Sequence, residues 1–337
     1  MRPAKTTILL LALAAALLAP SAAQALPRTF FGIAPQTSLS ERDVTYMEAG
    51  GIGSIRLPMV WAAIQPTEAS EYQWSATDAV VEVAARYGLT VLPFLYSTPE
   101  WLTAKPTTLP VENNRERRAW TAFVEAAVAR YGPGGEFWEA HGPTVPAAQR
   151  LTPKPIRVWQ IWNEANFFYF AYPVSPSRYA QTLALAHTAV KAVDPAAKVL
   201  LSGLFGDPDE GGKKGMPAST FLSALYRVPG IKADFDGVAL HPYAFHVDDL
   251  EELVEAMREV VVENRDRATG LYITEMGWGS QNDSHIVAFE QGIAGQAREL
   301  RKAYSFLIAS RRLLNLKGTY WYSWKDNPEY TACSFCD

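Results

Sequence analysis

The stretch Arg157-Val158-Trp159-Gln160-Ile161-Trp162-Asn163-Glu164 decides how this chain is read. A short, mostly apolar run ends in an amide and a carboxylate. A strand that is buried along its length can deliver two adjacent polar groups to one place, its C-terminal end. The segment Gly270-Leu271-Tyr272-Ile273-Thr274-Glu275 does the same. Two buried strands that both end in glutamate point to two carboxylates facing one cleft.

Outward from these segments, strand-like and helix-like patterns alternate. Strands are expected over 29–34, 54–58, 90–96, 157–164, 198–204, 235–240, 270–275 and 318–324. Ser38 and Glu41 have capping-box spacing and open a helix that stops at Gly50-Gly51. Ser75 and Asp78 cap a second helix, which carries Val80, Val83, Ala84 and Tyr87 as its apolar stripe. Trp120, Phe123, Val124, Ala127, Val128 and Tyr131 recur at helical spacing, which means core packing. Gly132-Pro133-Gly134-Gly135 breaks that helix, and a loop-rich insert follows to Pro155. Ser175-Pro176 starts the next helix, with proline in the first turn, where its missing N–H costs nothing. Later helices carry Leu250, Leu253, Val254, Met257 and Val261 on one face, or run over 287–314.

Eight strands alternating with seven helices imply an α/β fold, a parallel sheet closed as a (β/α)8 barrel. An open doubly wound sheet is the alternative, but the first strand is not followed by Gly-x-Gly-x-x-Gly. Thirteen residues follow Trp324, too few for an eighth helix. A barrel without its last helix, or a truncated one with the flanks of strands one and eight uncovered, is therefore expected.

Residues 1–25 have a different character. Arg2 and Lys5 precede an apolar run from Thr7 to Leu18, and Ala23-Gln24-Ala25 is a small-x-small cleavage signal. This reads as a secretory signal peptide, with an extracellular or cell-envelope product. The run is shorter than the ~20 residues a spanning helix needs, so no stable membrane insertion is expected after cleavage. Residues 26–337 are expected to form one catalytic domain. A net charge of −4 gives no reason to expect nucleic acid as a partner. Cys333 and Cys336 are read as a local structural disulfide. The glycine-rich loop over 206–215 lacks the Gly-Lys-Ser/Thr ending of a phosphate loop.

In such a barrel, functional groups gather at the C-terminal ends of the strands. Those ends carry Arg56, Asn163, Glu164, His241, Tyr243, Glu275 and Trp324. Two carboxylates about 5–5.5 Å apart suit cleavage of a glycosidic bond by double displacement, with retention at the anomeric carbon. Metal-dependent barrel hydrolases carry clustered ligands, such as His-x-His on the first strand. This chain has five histidines and none there, so neither metal nor cofactor is expected.

The chain resembles clan A glycoside hydrolases, of the family 5 and family 39 type. The likeness rests on Trp162-Asn163-Glu164, His241-Pro242-Tyr243, Thr274-Glu275-Met276-Gly277-Trp278 and Trp321-Tyr322-Ser323-Trp324, four motifs in the right strand order. It covers nearly all of the chain beyond the leader. It implies a retaining O-glycosidase acting on β-linked oligo- or polysaccharide. Glu164 is then the acid/base and Glu275 the nucleophile. Asn163 binds the sugar 2-hydroxyl, Arg56 and Tyr243 hold Glu275, His241 meets a sugar hydroxyl or steers Glu164, and Trp324 floors the subsite. Trp61, Trp101 and Trp278 are read as outer sugar platforms or as packing. The alternative is a secreted, non-catalytic carbohydrate-binding protein on a degenerate barrel.

Overall fold

Eight parallel strands close into one barrel in chain order, with the last strand paired to the first. They are β1 (Phe31–Ala34), β2 (Ser54–Val60), β3 (Thr90–Tyr96), β4 (Val158–Ile161), β5 (Lys198–Phe205), β6 (Gly237–His241), β7 (Gly270–Met276) and β8 (Leu316–Tyr322). The computed structural model describes residues 26–35, 37–208, 214–281 and 289–326. The leader, the middle of the 206–215 loop, Cys333 and Cys336 lie outside them. Each expected strand exists, to within a few residues at either end.

Helices fill the crossovers: α1 (Glu41–Ala49), α2 (Trp61–Ile64), α3 (Ser75–Arg86), α4 (Asn114–Tyr131), α5 (Glu136–Ala140), α6 (Pro176–Val193), α7 (Ala218–Tyr226), α8 (Val247–Glu263) and α9 (Gly292–Ala309). The long ones are amphipathic, as their spacing requires. Trp120, Phe123, Val124, Ala127, Val128 and Tyr131 of α4 are all buried, as are Leu250, Val254, Met257 and Val261 of α8. Ser175 caps α6 through a bond from the Arg178 N–H, and Pro176 takes the first helical position.

Two caps differ from expectation. The capping box of α1 is formed by Ser40 and Asp43, not by Ser38 and Glu41. Both pairs have the same spacing, and a second set of contacts to Asp43 decides between them. Trp74 is the N-cap of α3 and makes no side-chain cap bond, so Ser75 is already inside the helix. The insert over 132–155 contains α5, whose Phe137 and Trp138 are buried.

Among the described residues no helix follows β8. The outer side of β1 is partly covered all the same, because the Phe31 ring meets Tyr304 of α9 edge-on at 5.6 Å. No helix among the described residues is long and apolar enough to cross a membrane.

Side chains enter the barrel in layers spaced by two residues, the period of a strand. Near the N-terminal end, Leu92, Leu200 and Tyr320 form a buried cluster, and Val158 and Tyr272 pack against it. Ser54 bonds the Tyr320 hydroxyl there at 2.8 Å. One pleat further on, Arg56, Gln160 and Thr274 replace these groups, and the barrel opens into a cavity.

Candidate active site

The end of β4 is built by an unusual backbone. Trp162 and Glu164 both have positive φ, 72° and 40°. Non-glycine residues rarely adopt this region, and each such residue costs about 1–3 kcal/mol. Neighbouring contacts hold it in place. The Trp162 N–H bonds the Leu95 carbonyl at 2.8 Å and the Glu164 N–H bonds the Gly203 carbonyl at 3.1 Å. The buried Trp162 indole donates to the Phe170 carbonyl at 2.7 Å. The chain thus stays bonded to β3 and β5 while Asn163 and Glu164 reach the cavity.

Arg56 is the hub of the site and is 1% exposed. Its Nε donates to Gln160 Oε1 and its Nη2 to Asn163 Oδ1, both at 2.8 Å. Its Nη1 forms a short ion pair with Glu275 Oε1. The guanidinium lies 3.8 Å from the centroid of the Phe94 ring. Tyr243 donates to the other oxygen of Glu275 at 2.8 Å. Asn163 Oδ1 is occupied by Arg56, which leaves its amide N–H groups as the donors facing the cavity.

A second arm runs to Glu164. Gln160 Nε2 donates to Thr274 Oγ1 at 3.2 Å, and Thr274 Oγ1 lies 3.0 Å from His241 Nε2. His241 Nδ1 lies 2.8 Å from Glu164 Oε1 and 3.7 Å from Glu275 Oε2. Gln160 fills one lone pair of the Thr274 hydroxyl and leaves its proton free to meet His241 Nε2; in that arrangement the ring proton sits on Nδ1 and faces Glu164. Burial, reinforced by the Arg56 charge, holds the His241 pKa well below its ordinary value, so the ring is neutral.

The two carboxylates differ in their surroundings. Burial pushes the Glu164 pKa well above the carboxylate range, and the nearby Glu275 charge adds to the rise. Burial also raises Glu275, but Arg56 and Tyr243 pull it back. Of the pair, Glu275 therefore ionises first and Glu164 keeps its proton. A Glu164 oxygen, a Glu275 oxygen and a His241 nitrogen all lie within 4.8 Å of one another. Such a set could in principle ligate a cation. Here Arg56 already supplies the positive charge beside Glu275, so the fit to a divalent ion is poor.

The cavity has a volume of about 300 Å³ and is lined by Arg56, Asn163, Glu164, Tyr243 and Glu275 with Phe94, Tyr96, Phe167, Phe170, Phe205 and Tyr322. Five of the seven residues read from the sequence thus line one cavity, and a sixth, His241, is bonded to Glu164. The seventh, Trp324, does not line this cavity. β8 ends at Tyr322, so strand alternation does not carry Trp324 inward. Its indole donates to Asp43 Oδ1 at 3.0 Å, and Lys325 bonds Asp43 Oδ2 at 2.9 Å. Burial pushes the Asp43 pKa up, but donors from Ser40, Trp324 and Lys325 outweigh it and hold the group well below the usual range. Tyr322 takes the place at the cavity expected of Trp324.

Trp61 and Trp278 are fully buried and belong to the packing, whereas Trp101 is half-buried and donates to the Gln65 carbonyl at 2.9 Å. Gln160, Thr274 and Gly203 are site residues that the sequence reading missed. Gln160 and Thr274 had a signal, since a polar group inside an apolar strand must find a buried partner. Gly203 packs so close to His241 that a Cβ there would overlap the imidazole.

No protein-family model matches the chain, and no curated protein sequence matches it. Solved structures do. A family 39 glycoside hydrolase from the gut symbiont Bacteroides cellulosilyticus WH2 superposes with a TM-score of 0.61 at 18% identity, over 92% of this chain and 59% of that one. The GH39 enzyme from Xanthomonas axonopodis pv. citri gives 0.62 at 15% identity, over 90% and 60%. Cel5A of Thermotoga maritima, solved in complex with cellobiose, gives 0.57 at 14% identity, over 88% and 90%. The chain spans about three fifths of the length of the first two. At these identities the likeness is one of fold: this chain has the barrel found in family 39 and family 5 glycoside hydrolases.

Proposed function

We propose that the protein is a retaining O-glycoside hydrolase acting on β-linked carbohydrate. The observation that carries this reading is the close approach of Glu164 and Glu275 in unequal surroundings. Glu275, held by Arg56 and Tyr243, attacks the anomeric carbon and forms a glycosyl ester. Glu164 accepts the His241 N–H at one oxygen and gives its proton to the departing oxygen from the other. It then takes a proton from the water that cleaves the ester. Asn163 donates to a sugar hydroxyl next to the reacting carbon. The leader-like residues 1–25 support action outside the cytoplasm, which N-terminal sequencing of the secreted product would test.

Purified protein, screened on aryl β-glycosides and common polysaccharides, should release sugar. Glu275→Ala should abolish hydrolysis, and added azide should restore turnover as a glycosyl azide. Glu164→Ala should lose about 10²–10⁴-fold in rate. Full turnover by the Glu275→Ala protein would reject the reading. The non-catalytic alternative gains no support from a site in which both carboxylates and their partners are in place.

A further inference from the structure

A continuous series of ring contacts leads from the nucleophile to the surface on the Glu164 side. Tyr243, which donates to Glu275, stacks on Phe205 at 5.7 Å. Phe205 meets Phe167 at 5.1 Å, and Phe167 meets Tyr169 edge-on at 5.0 Å. Phe168 lies 4.2 Å from Tyr169, which is left 62% exposed. The Phe167 N–H bonds the Glu164 carbonyl at 2.9 Å, so the series begins beside the acid/base.

The segment Ala165-Asn166-Phe167-Phe168-Tyr169-Phe170-Ala171-Tyr172 has one amide side chain, and it is already committed. Asn166 Nδ2 donates to the Phe205 and Met216 carbonyls at 2.7 Å, and its Oδ1 accepts the Phe205 N–H at 2.9 Å. A second sugar needs side chains that take its hydroxyls as well as rings to stack on. This segment offers rings, and its remaining side-chain polar atoms are tyrosine hydroxyls. Phe205, Phe167 and Phe168 are half-buried and Tyr169 is exposed, and rings partly open to water in one series mark a contact surface for something apolar.

We propose that this track receives the leaving group, and that the leaving group is an apolar aglycone, aryl or alkyl, rather than a further sugar. The proposal rests on the hydrolase reading, because only then is the Glu164 side the one from which the leaving group departs.

The test uses the whole protein with methyl, butyl, hexyl and phenyl β-glucosides and β-xylosides, beside cellobiose and xylobiose. The alkyl series separates apolar contact from leaving-group acidity. The expected result is that kcat/KM climbs from methyl to hexyl, by up to about fourfold per methylene seated on the rings. The hexyl glycoside should also exceed the disaccharide by roughly tenfold or more. Tyr169→Ser and Phe167→Ser should each lower the hexyl-to-methyl ratio; Tyr169 is exposed, so its replacement leaves the fold intact. A flat alkyl series, a disaccharide preferred over the hexyl glycoside, or a ratio unmoved in both variants overturns the proposal. If nothing in the series is cleaved, the hydrolase reading fails separately. Calorimetric titration then decides the track: tighter binding of hexyl than methyl glycoside supports it, and equal affinities overturn it.

Discussion

The two inward layers of the barrel lie one pleat apart on the same strands, yet they do different work. The lower one holds Leu92, Val158, Leu200, Tyr272 and Tyr320, with a hydrogen bond between Ser54 and Tyr320 on the two strands that flank β1. The upper one, two residues further along, holds Phe94, Gln160, Thr274 and Tyr322 around Arg56. The lower layer fills space. The upper layer spends buried area on a charged hydrogen-bond circuit that leaves a cavity. Strand geometry fixes where a side chain points, and the residue placed there decides between plug and site. A change in the upper layer should therefore cost stability and function together, and a change in the lower layer stability alone.

Arg56→Ala should break this contrast most severely. It leaves the Glu275 carboxylate buried without its cation, a loss of about 3–5 kcal/mol of stability for a broken buried pair. Chemical denaturation and kcat/KM should both register it. If the variant is as stable as the parent, the circuit is not what holds the upper layer.

The pH profile of kcat/KM should be bell-shaped and displaced upward. The acid limb marks ionisation of Glu275, which burial raises and Arg56 and Tyr243 partly restrain. The alkaline limb marks loss of the Glu164 proton and lies well above the ordinary 4.5. Activity is thus present above the Glu275 pKa and lost as pH rises through that of Glu164. An alkaline limb at or below the ordinary value would contradict the unequal surroundings of the pair.

Gln160→Leu should have an intermediate effect. It strands the Arg56 Nε–H and frees the Thr274 hydroxyl, at about 1–3 kcal/mol for a buried group left unsatisfied. With the tautomer of His241 no longer fixed, Glu164 loses a donor to its ionised form, and the alkaline limb should move up. A loss of stability with an unmoved limb would reduce Gln160 to a packing role.

Tyr320→Phe should be mildest. It removes the bond to Ser54 in the lower layer, worth about 1 kcal/mol, and leaves the pH profile unchanged. A shifted profile would show that the two layers are not separate.

Much of this was legible in the chain. Buried parallel strands read as apolar runs, so the polar residues that interrupt or end them stand out. Arg56, Asn163, Glu164, His241, Tyr243 and Glu275 could be placed at one mouth for that reason. What escaped notice depends on three-dimensional partners. Gln160 and Thr274 look like isolated polar residues until Arg56 and His241 are seen beside them. Gly203 carries no chemistry of its own, and its need to be glycine comes from an imidazole on the next strand. Trp324 was misplaced because the point at which β8 stops cannot be read from its aromatic run. The α1 cap was read two residues early because Trp324 and Lys325 reach Asp43 from the far end of the chain.

The left-handed backbone at Glu164 has an outcome for anyone improving the protein in the laboratory. That position combines a strained main chain with a carboxyl group withdrawn from water, so a glycine there, which accepts positive φ and removes the buried carboxyl, relaxes the fold. A selection for heat resistance alone would find this residue early and discard the chemistry with it. Directed evolution of a hardier version needs a turnover screen running alongside from the first round.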